Sequence, residues 1–142
     1  IDFNTGEPAV NAIQPNAVEQ GRLAALNMAG KASVSQGSLA INVLDTLGLI
    51  SSSFGQWWGD PKGESVELKD DANFRYLSLQ FKGDVLIGAT SIGLTEHVGV
   101  LRGLIQTKAR LGTWKDELLH DPTHVMQAYL AQAQAQSNFL PG

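Results

Sequence analysis

Apolar positions recur along this chain with a helical period, then a period of two, then a helical period again. Between Pro15 and Gly30 the small residues Ala17, Gly21, Ala24 and Ala25, with Met28 after them, fall three and four apart. That spacing places them on one side of a helix predicted over residues 15–29, with Pro15 near its first position and Gly30 just past its end. The stripe is flat enough for another backbone to come close, and nothing else in the chain offers it a partner of comparable regularity. Residues 31–38 are polar and read as a linker.

From Leu39 the period drops to two. Leu39, Ile41, Val43 and Leu47 alternate with Ala40, Asn42, Leu44 and Thr46, predicting a strand with one strongly apolar face. Asp45 falls on that face and marks a bulge or a strand end. Further strands are predicted over 49–54, 64–69, 74–81 and 85–92, the last with Val85, Ile87 and Ala89 alternating. Their connections are the turns 59–63 and 70–73 and the short hairpin Lys82-Gly83-Asp84. Such close spacing favours an antiparallel meander over crossover units.

The helical period then returns. Thr95 is expected to cap a helix running to about Arg110, with Leu94, Val98, Leu101, Leu104 and Ile105 as its stripe and Lys108 and Arg110 at its end. Gly99 and Gly103 weaken such a helix and imply something close-packed over them. Thr113 opens a short helix, and Asp121-Pro122 a last one that carries Val125, Met126, Tyr129, Leu130 and Ala133 on one face. The Ala-Gln alternation from Ala131 to Gln136 is expected to fray. The reading is an α+β fold: an antiparallel meander sheet of about five strands with helices on one side, preceded by a helical arm. It divides into the arm at 1–38, a self-contained domain at 39–136 and a tail at 137–142.

Composition narrows the function classes. The chain has 142 residues, 43% of them hydrophobic and 17% charged, which is globular and suits one ordinary core. No apolar run nears the roughly 20 residues of a membrane span, and no signal segment opens the chain. A net charge of −4 argues against a nucleic-acid surface. The lack of cysteine removes redox thiols and disulfide scaffolds and agrees with a cytoplasmic home.

The start of the first helix is the informative end. With Gln14 as N-cap the cap is poor, and the turn Pro15-Asn16-Ala17 offers unpaired N–H groups and the positive end of the helix dipole to an outside acceptor. With Asn16 as N-cap, Glu19 stands three residues on and closes a capping box. Spacing alone leaves both open.

The segments Asn4-Thr5-Gly6-Glu7-Pro8 and Ala17-Val18-Glu19-Gln20-Gly21-Arg22-x-Ala24-Ala25-x-Asn27-Met28-Ala29-Gly30 resemble the stretch after the second flavin-binding motif of FAD-dependent pyridine nucleotide-disulphide oxidoreductases. The likeness is to the branch that holds NADH oxidases, rubredoxin reductases and the large subunit of nitrite reductase. It is specific over residues 4–30 and architectural beyond them, where strands followed by helices resemble the family's C-terminal interface domain. In that family the helix equivalent to this one aims its N-terminus at the pyrimidine edge of the flavin and stabilises negative charge there. The resemblance therefore implies Pro15, Asn16 and Ala17 as cofactor-binding positions.

There is no Gly-x-Gly-x-x-Gly phosphate loop, and the family's Gly-Asp flavin motif would lie just upstream of Ile1. The chain also begins without Met. It is expected to be a fragment, the C-terminal piece of a longer flavoprotein. Its partners would be the upstream FAD- and NAD-binding domains of the same polypeptide and a second copy in a homodimer, with no nucleic acid and no membrane. FAD and NAD(P)H belong to the full-length enzyme; the isolated chain is expected to bind neither and to be inactive, with no catalytic residue of its own. The alternative is a stand-alone, non-catalytic binding or dimerisation module.

Other candidates weigh less. His120 and His124 are four apart, but Pro122 lies between them and no third ligand matches, so no metal site is expected. His120-Asp121-Pro122-Thr123 echoes the family's His-Pro-Thr segment, yet Asp121 interrupts it and reads better as an N-cap before proline. His97 is a third titratable group. Trp57-Trp58 reads as a packing pair with one ring in the core and one at an interface. Tyr76 and Tyr129 match no motif residue.

Overall fold

The computed structural model describes residues 1–137 and shows a helical N-terminal arm and an α+β unit, which form two compact units, residues 1–41 and the chain from Asn42 onward. In the first unit, the loop that precedes the helix is tied down at both ends. A parallel bridge joins Asp2 to Ser38, with Phe3 N–H donating to the Ser38 carbonyl at 3.1 Å and Ser38 N–H to the Ile1 carbonyl at 2.9 Å. The Asp2 carboxylate turns the chain by accepting from the amides of Asn4 and Thr5, both at 2.9 Å.

Helix α1 runs Gln14–Met28. Its end matches the glycine signal: Gly30 adopts φ +77°, its N–H donates to the Asn27 carbonyl and the Lys31 N–H to the Leu26 carbonyl. These two bonds form the Schellman pairing that spares the last carbonyls. The Asn27 side chain adds a latch, donating to the Ser33 carbonyl and accepting from the Ser33 amide.

The second unit is built on a five-stranded sheet: β1 (Ile41–Thr46), β2 (Leu49–Gly55), β3 (Glu64–Asp70), β4 (Arg75–Lys82) and β5 (Val85–Ile92). The pairings of β2 with β5, β5 with β4 and β4 with β3 are antiparallel. β3, β4 and β5 form a meander as expected, but the spatial order is β1-β2-β5-β4-β3, so β2 neighbours β5 instead of β3. The chain leaving β2 must therefore cross β5 and β4 to reach the far edge. A Cβ at Gly88 of β5 would collide with the backbone of Gln56 and Trp57, and one at Gly59 would meet the Gln80 side chain of β4. This crossing carries Trp57 and Trp58 as a perpendicular pair, ring centres 4.7 Å apart, and both rings are largely exposed. Neither is in the core, because the crossing lies outside the sheet rather than at a strand end within it.

The core lies between the sheet and a layer of helices: α2 (Val98–Thr107), α3 (Thr113–His120) and α4 (Val125–Ser137), the last two joined by a short 3-10 turn at Pro122–His124. α2 packs on β2 and β5, α3 on β3, and both touch α4, so the helices form one layer. Leu77, Leu79 and Phe81 of β4, the strand expected over 74–81, alternate into the core. On β5 a bulge opposite Gln80/Phe81 shifts the phase, pairing Phe81 with Leu86 while Leu79 pairs with Ala89. Leu86, rather than Ile87, therefore shares the face of Phe81 and Ala89.

Other expectations change in detail. β1 is uncovered on both faces: Val43 and Leu44, on opposite sides of the strand, are 59% and 56% exposed, and Leu47 at the turn is fully exposed. Asp45 marks the strand's end, its carboxylate accepting the Gly48 amide at 2.8 Å within a turn where Leu47 and Gly48 both have positive φ. α2 begins after His97, not Thr95, and stops at Thr107, where Lys108 turns left-handed. Arg110 is drawn out of the helix by its bridge to Val85 and by the Leu111 amide bonding the Asp84 carbonyl. Gly99 has open space over it, and Gly103 meets only the Tyr129 ring at ordinary contact. α3 opens at Thr113 as expected, but Gly112 precedes it and no side chain caps it, whereas Asp121 does cap the turn after it, accepting the Thr123 amide at 2.9 Å. α4 stays helical through the Ala-Gln repeat to Ser137, so the expected fraying there does not occur; the remainder of the predicted tail lies outside the described residues. Among the described residues, no helix is long and apolar enough to cross a membrane.

Candidate functional site

The head of α1 is settled by which groups its first turn leaves unpaired. The residue before the helix is Ile13, extended at φ −126° and ψ 153°, and no side chain caps the helix. Pro15 has no N–H to satisfy and holds its φ ready for the helix. The Ala17 amide makes the first helical bond, to the Ile13 carbonyl at 3.1 Å. Of the three positions proposed from sequence, Asn16 therefore keeps an open backbone N–H, Ala17 does not, and Gln14 adds an open amide that the sequence reading did not include. All four residues of this turn except Asn16 are exposed.

Asn16 is not a cap. Its side chain points back, with Nδ2 donating to the carbonyls of Asn11 at 3.1 Å and Leu39 at 3.4 Å. Asn11 in turn donates from its own side chain to the Ser38 carbonyl at 3.1 Å and accepts the Ile13 amide at 2.9 Å. This relay fixes the entry angle of the helix. Asn11 carried no motif, so only its spacing from Asn16 across a proline turn hinted at the role.

Glu19 does not close a capping box either. Arg22 grips it with two bonds, Nε to Oε2 at 2.9 Å and a terminal nitrogen to Oε1 at 2.7 Å. The paired guanidinium holds the Glu19 carboxyl below its ordinary range and the carboxylate raises Arg22. Both are solvent-exposed, so the pair contributes little to stability. It engages the acid that would otherwise shield the helix head. No residue of α1 is buried, and Ala17, Gly21, Ala24, Ala25 and Met28 lie open along one side. An uncapped, uncompensated helix start can bind an acceptor-bearing or anionic group.

The remaining candidates are placed as follows. His120 ends α3 and His124 lies in the following 3-10 turn, 3.6 Å from the Asp121 carboxylate. Among the described residues, no group of three or more His, Asp or Glu converges as a metal site would require. Hydrogen bonds from Thr123 hold the Asp121 carboxyl below its usual range. Tyr76 donates to the Glu67 carboxylate on the neighbouring strand at 2.9 Å, and partial burial together with that acceptor raises the phenol.

No family model matches the chain. It is 30% identical over 133 residues, 92% of its length, to the epsilon subunit of an NADH-dependent phenylglyoxylate dehydrogenase from Aromatoleum evansii. The chain spans 32% of that relative. Its fold matches a FAD-dependent pyridine nucleotide-disulphide oxidoreductase from Desulfovibrio vulgaris with a TM-score of 0.63 and 15% identity, over 94% of this chain and 36% of that one. The chain is thus similar in sequence to part of the one and in fold to part of the other, and both likenesses point the same way as the resemblance carried by residues 4–30.

Proposed function

We propose that this chain is the interface domain of a longer FAD-dependent NAD(P)H oxidoreductase, and that α1 is the helix that faces the flavin. The observation that carries the reading is the open head of α1, with the Gln14 and Asn16 amides unpaired and no carboxylate beside them. Residues 1–38 belong with the FAD-binding domain and residues 39–136 form the interface domain. FAD, when bound, supplies the hydride-accepting chemistry. The chain's own part is to present fixed N–H groups and the positive end of a helix to the cofactor's acceptor edge. Asn11 and Asn16 hold that end in place, and Pro15 keeps the turn rigid. The isolated chain carries no redox centre and is colourless and inactive.

Ala17→Asp tests this in the full-length enzyme. Ala17 is exposed and its side chain makes no contact that folding needs, so the substitution adds one negative charge to the helix head. The FAD reduction potential is expected to fall by about 30 mV, the equivalent of ~1.4 kcal/mol for a two-electron couple, while Ala24→Asp in mid-helix leaves it unmoved. Equal potentials in the two variants would place the flavin away from α1.

The homodimer in this proposal uses the bare β1–β2 hairpin. Val43 and Leu44 on the edge strand and Leu47 in the turn after it are more than half exposed, and uncovered apolar groups there invite a second chain. The double variant Leu44→Glu, Leu47→Glu should convert the full-length enzyme from dimer to monomer in sedimentation velocity. A dimer that survives both charges assigns the contact to another face.

A further inference from the structure

Under the N-terminal end of α2 the sheet-and-helix unit encloses a pocket of about 200 Å³ that the flavoprotein reading leaves unused. Its floor is apolar, formed by Leu77 of β4, Leu101 of α2 and Val125 of α4. Its rim carries two opposite charges, Arg75 and Glu96. Among the described residues neither of them forms an ion pair, with the other or with any third group, although both line the same opening. Besides Ser91 and Thr123, the polar lining includes His97, whose Nδ1 nitrogen is buried with no hydrogen-bond partner. A buried ring nitrogen left unpaired is unfavourable whichever tautomer the imidazole adopts, and native proteins keep few such atoms without a reason.

We infer that this pocket binds a small apolar α-amino acid. The ligand class follows from the charges. A simple carboxylate would satisfy Arg75 and be repelled by Glu96; a simple amine would meet the reverse. A zwitterion satisfies both at once, its carboxylate toward Arg75 and its ammonium toward Glu96. The apolar floor then receives an aliphatic side chain, and the small volume limits its size. This is the usual make-up of a small-molecule site, an apolar cavity with few convergent polar groups. Charge-assisted bonds at both ends supply the selectivity, because an analogue lacking either end leaves a charge of the protein without its counterpart.

The test is a titration of the ¹⁵N-labelled 142-residue chain with L-leucine, followed by amide shifts, against two analogues of the same skeleton. 4-Methylpentanoate lacks the ammonium and 3-methylbutylamine lacks the carboxylate. Saturable shifts at Ser91, His97 and Leu101 are expected with leucine, and at least tenfold weaker binding of each analogue. R75Q and E96Q, both at exposed positions, are each expected to weaken leucine binding about tenfold while leaving the rest of the spectrum in place. Absence of saturable shifts overturns the proposal. So does an analogue that binds as tightly as leucine, or a leucine affinity that neither variant changes. None of these outcomes depends on FAD, so the site stands or falls apart from the flavoprotein reading.

Discussion

Phe81→Ala is expected to destabilise the sheet-and-helix unit by about 3–5 kcal/mol, the usual cost of removing a large buried aromatic ring. Phe81 is 0% exposed and lies opposite Leu86 on β5 and Glu64 on β3, at the point where the bulge brings an extra residue into the core layer. Collapse around the missing ring is hindered. The Phe81 carbonyl is packed so closely on Gly63 that even a Cβ would not fit between them, so the backbone on that side has nowhere to move. The cavity term is then added nearly in full to the loss of buried apolar surface. Total stabilities of single domains are about 5–15 kcal/mol, so the variant should lose a large fraction of its margin. Urea unfolding monitored by tryptophan fluorescence gives the number. A loss below about 1 kcal/mol would mean that the centre of the sheet is not close-packed.

Gly88→Val is the second large effect, and its cause is different. Nothing about the φ of Gly88 demands glycine; what demands it is the chain of Gln56 and Trp57 lying directly on its Cα. A valine there must push away backbone, which cannot rotate aside as a side chain would. The expected cost is about 3 kcal/mol, the upper end for overpacking. The displaced segment carries Trp57 and Trp58, so the native-state fluorescence should change as well as the midpoint. Thr90→Val, two residues along the same strand and clear of the crossing, serves as the control and should stay within about 1 kcal/mol of the parent. Equal stability of the two variants would show that the β2–β3 connection is not pressed against β5.

These two sites illustrate what the sequence disclosed and what it did not. Alternation of Leu77, Leu79 and Phe81 reports which side chains share a face, and the structure buries that face. The bulge between Gln80 and Phe81 has no local signature, so the alternation of Val85, Ile87 and Ala89 passed over Leu86, which is buried together with Ile87. Alternation in β1 was equally clear, yet it says nothing about whether a face has a cover; among the described residues it has none. Strand order depends on contacts between residues far apart in sequence, and short turns made a simple meander the natural expectation. Gly88 was the available hint of a crossing, since a glycine within a strand often marks a close backbone approach.

The head of α1 was more legible. Pro15 and Gly30 fixed its limits to within a residue, because both act through local backbone geometry. The choice between an open and a capped start turned on where Asn16 and Glu19 point, and spacing does not encode that. Asn16 turned back to Asn11 and Leu39, and Glu19 to Arg22. The pocket beneath α2 was not legible at all: Arg75, Glu96 and His97 come together only through the pairing of β4 with β5 and the docking of α2 on β5.

The two margins of the sheet are chemically unlike, and this limits how far side-by-side growth can proceed. β3 borders one side with Glu64, Glu67, Lys69 and Asp70, whereas β1 borders the other with Val43 and Leu44. Joining two copies along β1 would consume the one adhesive margin each possesses and leave charged margins facing water at both extremes. Such an assembly would terminate itself at two members, and a bare strand used for pairing would give no foothold for a ribbon.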